Sequence, residues 1–157
     1  GAFNHAVDHL KNKQLTEPIK EFIKKGNYTL GICLGMQLFM KSSEENTKIN
    51  GLNLINGKVV NFNNYIHDQP IPHIGWEKTF STRLINNKLL NVVKNKKLYF
   101  AHSYLCVFNK KYDFLYSSYN KFKFVSAFSH NNLIGIQFHP ELSGEVGSKF
   151  LTKFVAF

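Results

Sequence analysis

Tyr28-Thr29-Leu30-Gly31-Ile32-Cys33-Leu34-Gly35-Met36-Gln37 is the stretch that decides how this chain folds. Tyr28 to Ile32 is a short apolar run that reads as a strand. Gly31 and Gly35 bracket Cys33, and Met36 to Met40 reads as helix. Upstream, Phe3 to Lys13 has Ala6, Val7 and Leu10 at helical spacing. A second helix starts near Thr16, read as its N-cap, with Pro18 in its first turn. Ile19, Phe22 and Ile23 form its apolar stripe, and Gly26 suits the stop position after it. Helix, strand, tight turn, helix is the grammar of an α/β sheet.

Downstream the pattern changes. Leu54 to Phe62, Lys97 to Phe108, Phe114 to Tyr119, Phe122 to Phe128 and Leu133 to Phe138 all read as strands. Ser129-His130-Asn131-Asn132 reads as the hairpin loop between the last two. Gly144 to Phe157 reads as a closing helix with Val146, Phe150, Leu151 and Phe154 inward. The 157 residues suit one domain spanning 1–157. No apolar run approaches the roughly 20 residues of a membrane helix, and no signal peptide opens the chain.

The formal charge of +10 raises the question of nucleic acid. The charge is almost all Lys, with Arg83 the only Arg, whereas bidentate readout favours Arg. Nucleic acid is therefore disfavoured as a partner, and an acidic protein face suits the charge better. Cys33 and Cys106 make neither a disulfide framework nor a zinc spacing, so a reducing, cytoplasmic setting is the default. Cys106 sits in an apolar strand and reads as inert core.

Two motifs carry chemistry. Gly31-Ile32-Cys33-Leu34-Gly35 has the form of a nucleophile elbow. A sharp turn from strand to helix would expose the thiol, and small flanking residues would let the turn close. The following helix would aim N–H groups at the sulfur and lower its pKa, with the Leu34 N–H placed for an oxyanion. A buried structural Cys beside two turn glycines is the plain alternative. In Phe138-His139-Pro140-Glu141, His139 and Glu141 stand at i and i+2, on one side of an extended chain. Glu141 would accept from one imidazole nitrogen and leave the other to face a thiol. A surface His–Glu pair is the alternative there. Together the motifs suggest a Cys33–His139–Glu141 triad.

The elbow, His102-Ser103-Tyr104 and Gln137-Phe138-His139-Pro140-Glu141 resemble the class I glutamine amidotransferases. Pro72-His73-Ile74-Gly75-Trp76 and Ser143-Gly144-Glu145 resemble the branch that serves histidine biosynthesis. The resemblance covers essentially the whole chain. It implies an α/β, flavodoxin-like three-layer sandwich with an antiparallel C-terminal extension. It further implies glutamine hydrolysis through a Cys33 thioester, without metal or cofactor. The ammonia would pass to a (β/α)8-barrel cyclase subunit, the partner of a heterodimer, which forms imidazole glycerol phosphate. By the same likeness Gln37, Glu45, Ser103 and Tyr104 would hold glutamine, while His73 and Trp76 would face the barrel. Gly1 matches the last glycine of an oxyanion loop and would join Leu34 there.

The family's N-terminal strands precede the point matched by Gly1, so the resemblance implies a missing N-terminal segment. These residues alone are then expected to be unstable or inactive. Glu77 stands where that branch usually has Asn, which keeps open a related subunit feeding a surface-polysaccharide sugar amidotransferase. A cysteine peptidase on the same scaffold and a non-catalytic binding module are the readings from other classes. A solvent-facing Gln37, a solvated acidic cluster at Glu45 and a core Trp76 are the plain alternatives for those residues.

Overall fold

The computed structural model describes residues 2–45, 49–67 and 69–156. Two helices open it, α1 (Phe3–Asn12) and α2 (Thr16–Lys24). Thr16 is the first helical residue rather than the cap, and no side chain caps α2. Gly26, at φ 89°, ends the helix as its lack of a Cβ permits. Strand β1 (Thr29–Ile32) follows, then α3 (Leu34–Leu38) and β2 (Met40–Ser43). The helix expected over Met36 to Met40 is thus shifted towards Cys33, and Met40 already belongs to a strand.

The remaining strands are β3 (Ile55–Asn61), β4 (His73–Lys78), β5 (Lys97–His102), β6 (Tyr104–Phe108), β7 (Asp113–Tyr119), β8 (Phe122–His130) and β9 (Leu133–Ile136). Short α4 (Leu90–Val93) precedes β5, and α5 (Gly144–Val155) closes the fold. The single strand expected from Lys97 to Phe108 breaks at Ser103. Its first half pairs with β4 and its second with β3, so the two halves join different sheets. Strand β8 runs through His130, and the hairpin turns at Asn131, whose φ of 52° suits Asn.

The central sheet has the order β1-β9-β8-β7. Strands β1 and β9 run parallel, and the β8 and β7 pairings are antiparallel. All four residues of β9 are buried, the mark of a strand covered on both faces. Ile134 and Ile136 pack in one core with Leu89, with Leu90 and Val93 of α4, and with Phe150 of α5. Leu133 packs in the other with Phe3, Val7, Ile23 and Met36 from α1, α2 and α3. Helix, sheet, helix is therefore the layering, and the mixed α/β fold agrees with the sequence reading.

Gly31 and Gly135 are partners in the β1–β9 register. A Cβ on Gly31 would lie 2.6 Å from the Gly35 carbonyl carbon and from the Phe39 ring. A Cβ on Gly135 would run into Phe128 and come within 2.9 Å of Met36 Cγ. These paired glycines make a flat patch on which α3 settles, bringing the helix start directly over the strand end. Gly35 differs, since a Cβ there would meet nothing within 4 Å. Gly31→Ala is thus expected to destabilise by about 1–3 kcal/mol through backbone overpacking. Gly35→Ala should be neutral or stabilising by up to about 1 kcal/mol, as helix propensity allows. Urea denaturation of both variants checks the contrast; equal losses would contradict this packing.

Candidate active site

Parallel pairing carries β1 and β9 to the same edge of the sheet. The pairing runs one step beyond the strands, where the Cys33 N–H donates to the Ile136 carbonyl at 2.7 Å. Cys33 then takes φ 50° and ψ −105°, a conformation that a non-glycine residue rarely adopts. Such strain persists only where the surroundings enforce it, and it collects at functional sites. Here the flat glycine patch and the Ile136 bond enforce it. The turn throws the side chain outward and starts α3 at Leu34.

The sulfur is held on more than one side. Gln137 Nε2 donates to Cys33 Sγ at 3.4 Å, and the Ala101 carbonyl lies 4.0 Å away as acceptor for the thiol. Burial pushes the thiol pKa up. The Leu34 N–H and the Gln137 amide work against that rise, and the Glu141 charge adds to it. The expected lowering by the helix is therefore overturned. Helix α3 has only 5 residues, and desolvation outweighs its N–H groups. Cys106 is fully buried in β6 with its pKa pushed far up, as an inert core thiol should be.

His139 lies just past β9. Its Nδ1 bonds Glu141 Oε1 at 2.7 Å, so the carboxylate accepts from Nδ1–H and Nε2 is left as the free nitrogen. The backbone is not extended there as expected. Pro140–Leu142 form a 3₁₀ turn, and the pair meets across its start. The turn is braced from both sides. His139 N–H donates to the Tyr99 carbonyl at 2.8 Å, and Ser143 Oγ donates to the His139 carbonyl at 2.6 Å. Ser143 Oγ also accepts from the Tyr99 N–H at 3.0 Å. No hydrogen bond joins Cys33 to His139 among the described residues.

A cavity of about 220 Å³ opens beside the sulfur. Cys33, Leu34, Gln37, Glu45, Ser103 and Tyr104 all line it, with Ala101 and His102 in the same wall. His139 and Glu141 are not among its lining residues. Glu45 also caps α1, its Oε2 accepting from the Phe3 N–H at 3.0 Å. Gln37 is buried rather than solvent-facing, donating to the Tyr104 carbonyl at 3.2 Å and to Gln137 Oε1 at 3.3 Å. Gly1 lies outside the described residues.

The expected pairing of His73 with Trp76 on one face is corrected. His73 is only 1% exposed and cannot meet a partner. It points inward from β4 while Ile74 and Trp76 are exposed. Trp76 packs edge-on against Tyr99 at a centroid distance of 5.9 Å. His102 Nδ1 lies 2.8 Å from the Tyr104 carbonyl, which can only accept. His102 Nε2 must then accept from His73 Nδ1 at 3.1 Å. Burial lowers His73 to about 4 and His102 to about 3. Sequence reasoning assigns no site role to Gln137 or His102. Gln137 stands two residues before His139, and that spacing was the available signal.

The sequence matches the family described as glutamine amidotransferase class-I over residues 6–156. It is 38% identical over 159 residues to imidazole glycerol phosphate synthase subunit HisH of Sulfurimonas denitrificans, covering 100% of this chain and 76% of that protein. It is 40% identical over 157 residues to the subunit of the same name in Prochlorococcus marinus subsp. pastoris, covering 99% and 75%. Its fold resembles the crystal structure of a glutamine amidotransferase from Thermotoga maritima, with a TM-score of 0.61 at 19% identity. That match covers 99% of this chain, which spans only 58% of the Thermotoga chain.

The two buried histidines set a pH dependence. Both are held neutral in the fold, so below the unfolded value of about 6.5 the unfolded state binds more protons. Their contribution is complete above pH 6.5 and is lost as pH falls through about 4 for His73 and about 3 for His102. His73→Gln retains a donor for His102 without titrating. Urea melts at stepped pH should show a shallower loss for this variant, by up to about 1.4 kcal/mol per pH unit. An unchanged slope would contradict a neutral buried His73.

Proposed function

The chain belongs to the class I glutamine amidotransferases, and from that premise we propose that it hydrolyses glutamine at Cys33 and supplies the ammonia to a (β/α)8-barrel cyclase of histidine biosynthesis. The observation that carries this reading is a cysteine on a strained elbow, facing a cavity, at the sheet edge where a bonded His139–Glu141 pair emerges. Relatives named as subunits of imidazole glycerol phosphate synthase favour the cyclase over a sugar-pathway acceptor.

In this mechanism the glutamine side chain enters the cavity between Glu45, Ser103 and Tyr104, with Gln37 behind them. Cys33 Sγ attacks the carboxamide carbon while His139 Nε2 takes the thiol proton. The Leu34 N–H holds the oxyanion, an interaction of a kind worth about 10²–10³ in rate. His139 returns the proton to the departing ammonia. Water then cleaves the thioester, with His139 as base. Glu141 fixes the tautomer that leaves Nε2 free and steadies the imidazolium. Burial raises the thiol pKa, so the attack calls on His139 as the base for its proton.

The exposed Ile74 and Trp76 of β4 are the face we assign to the cyclase subunit. Tyr99 links that face to the site, since it packs against Trp76 and bonds the His139 backbone. No described helix is long and apolar enough to cross a membrane, and the role implies a cytoplasmic setting.

Cys33→Ala should abolish glutamate release in the presence of the cyclase subunit while leaving the far-UV circular dichroism unchanged. Turnover retained by a folded Cys33→Ala protein would refute the assignment. Trp76→Ala should leave the chain folded and weaken capture of the cyclase in a pull-down; undiminished capture would move the interface elsewhere.

A further inference from the structure

A hydrogen-bond chain leads from the cavity wall to the sulfur, and its direction is fixed. Tyr104 presents a backbone carbonyl, which only accepts. Gln37 must therefore turn its amide nitrogen towards it, at 3.2 Å. The same nitrogen has a second hydrogen, which goes to Gln137 Oε1 at 3.3 Å. That contact in turn fixes the Gln137 amide with its oxygen towards Gln37 and its nitrogen towards Cys33 Sγ, at 3.4 Å. A flip of either amide would set nitrogen against nitrogen or oxygen against oxygen inside a buried chain, where unpaired polar groups are penalised. Gln137 is 0% exposed and Gln37 5%, so water does not substitute for these bonds.

We propose that Gln137 is a further catalytic residue of this site, the side-chain donor that holds the Cys33 sulfur and stabilises its anionic form during thioester chemistry, with Gln37 as the positioning residue that orients it. The inference rests on reading Cys33 as the nucleophile. The two contacts of the sulfur respond oppositely to ionisation. The Ala101 carbonyl bonds only the protonated thiol, so that contact is lost with the proton. The Gln137 N–H bond grows stronger when its acceptor becomes charged. As His139 removes the proton, the sulfur exchanges a carbonyl contact for a stronger amide contact without leaving the elbow. The backbone N–H of Gln137 is itself anchored on the Ser126 carbonyl at 2.8 Å, which keeps the donor in place through the exchange.

The test is the pH dependence of Cys33 alkylation by iodoacetamide, followed by peptide mapping so that Cys106 does not contribute. Gln137→Met keeps the length of the side chain and removes the donor. Its Cys33 thiolate fraction at a given pH should fall about tenfold, an upward pKa movement of about one unit. With the cyclase present, kcat should fall about tenfold and KM for glutamine should stay within about twofold. Gln37→Met adds no charge and leaves Gln137 Oε1 without the donor that fixes its orientation, freeing its nitrogen from the sulfur. This variant should move the thiol titration in the same direction. Folded variants that both titrate with the wild type would overturn the proposal. Should Gln137→Met fail to fold, the Gln37→Met titration decides alone. A wild-type protein that shows these thiol shifts with its variants yet releases no glutamate would refute the glutaminase reading and leave the role of Gln137 standing.

Discussion

The parallel pairing of β1 with β9 is the constraint on which the site depends. Parallel strands end at the same edge of a sheet, so residues just past them become neighbours whatever their separation in sequence. Cys33 and Gln137 are 104 positions apart and share a hydrogen bond. His139 follows two residues later. The Gly31–Gly135 pair within that register clears the surface under α3, which forces Cys33 into its positive-φ turn. Strain at one residue is thus a product of packing at two glycines.

Electrostatics around the sulfur is a contest between burial and donors, and burial prevails. Desolvation raises the Cys33 thiol pKa even though the Leu34 N–H and the Gln137 amide both work to lower it. The donors from Leu34 and Gln137 already oppose that rise at rest, and in the proposed mechanism they act more strongly as charge develops. The same burial holds His73 and His102 neutral, and their neutrality fixes the hydrogen-bond direction through to Tyr104. Tyr104 therefore anchors two chains at once, one through His102 and one through Gln37. The wall of the cavity is a rigid polar network with its donors and acceptors assigned by one backbone carbonyl.

The elbow and the His139–Glu141 pair were legible in the sequence because their chemistry is local. Glycine spacing and an i, i+2 pair are visible in a few residues, even though the pair meets on a 3₁₀ turn instead of an extended chain. The α/β character was legible from the apolar pattern of β1, β9 and the flanking helices, while the layering came with the family likeness. What was not legible depends on tertiary context. The break at Ser103 is invisible because both halves are equally strand-like, and only their different partners separate them. Strands β2 and β4 leave no clear alternation in the sequence, β4 because Gly75, Trp76 and Glu77 dilute it. The family likeness places His73 with Trp76 at the partner face, but residues three apart on a strand face opposite sides. The sign of the Cys33 shift depends on burial, which no local pattern records.

Covalent trapping with a glutamine-shaped diazomethyl ketone, read by intact mass and peptide mapping, tests the central claim most directly. An electrophile that must enter the cavity as glutamine does will report which nucleophile waits there. The account predicts a single adduct on Cys33, suppressed by excess glutamine. Label on Cys106, or none on Cys33 under conditions where glutamate is being released, would contradict it.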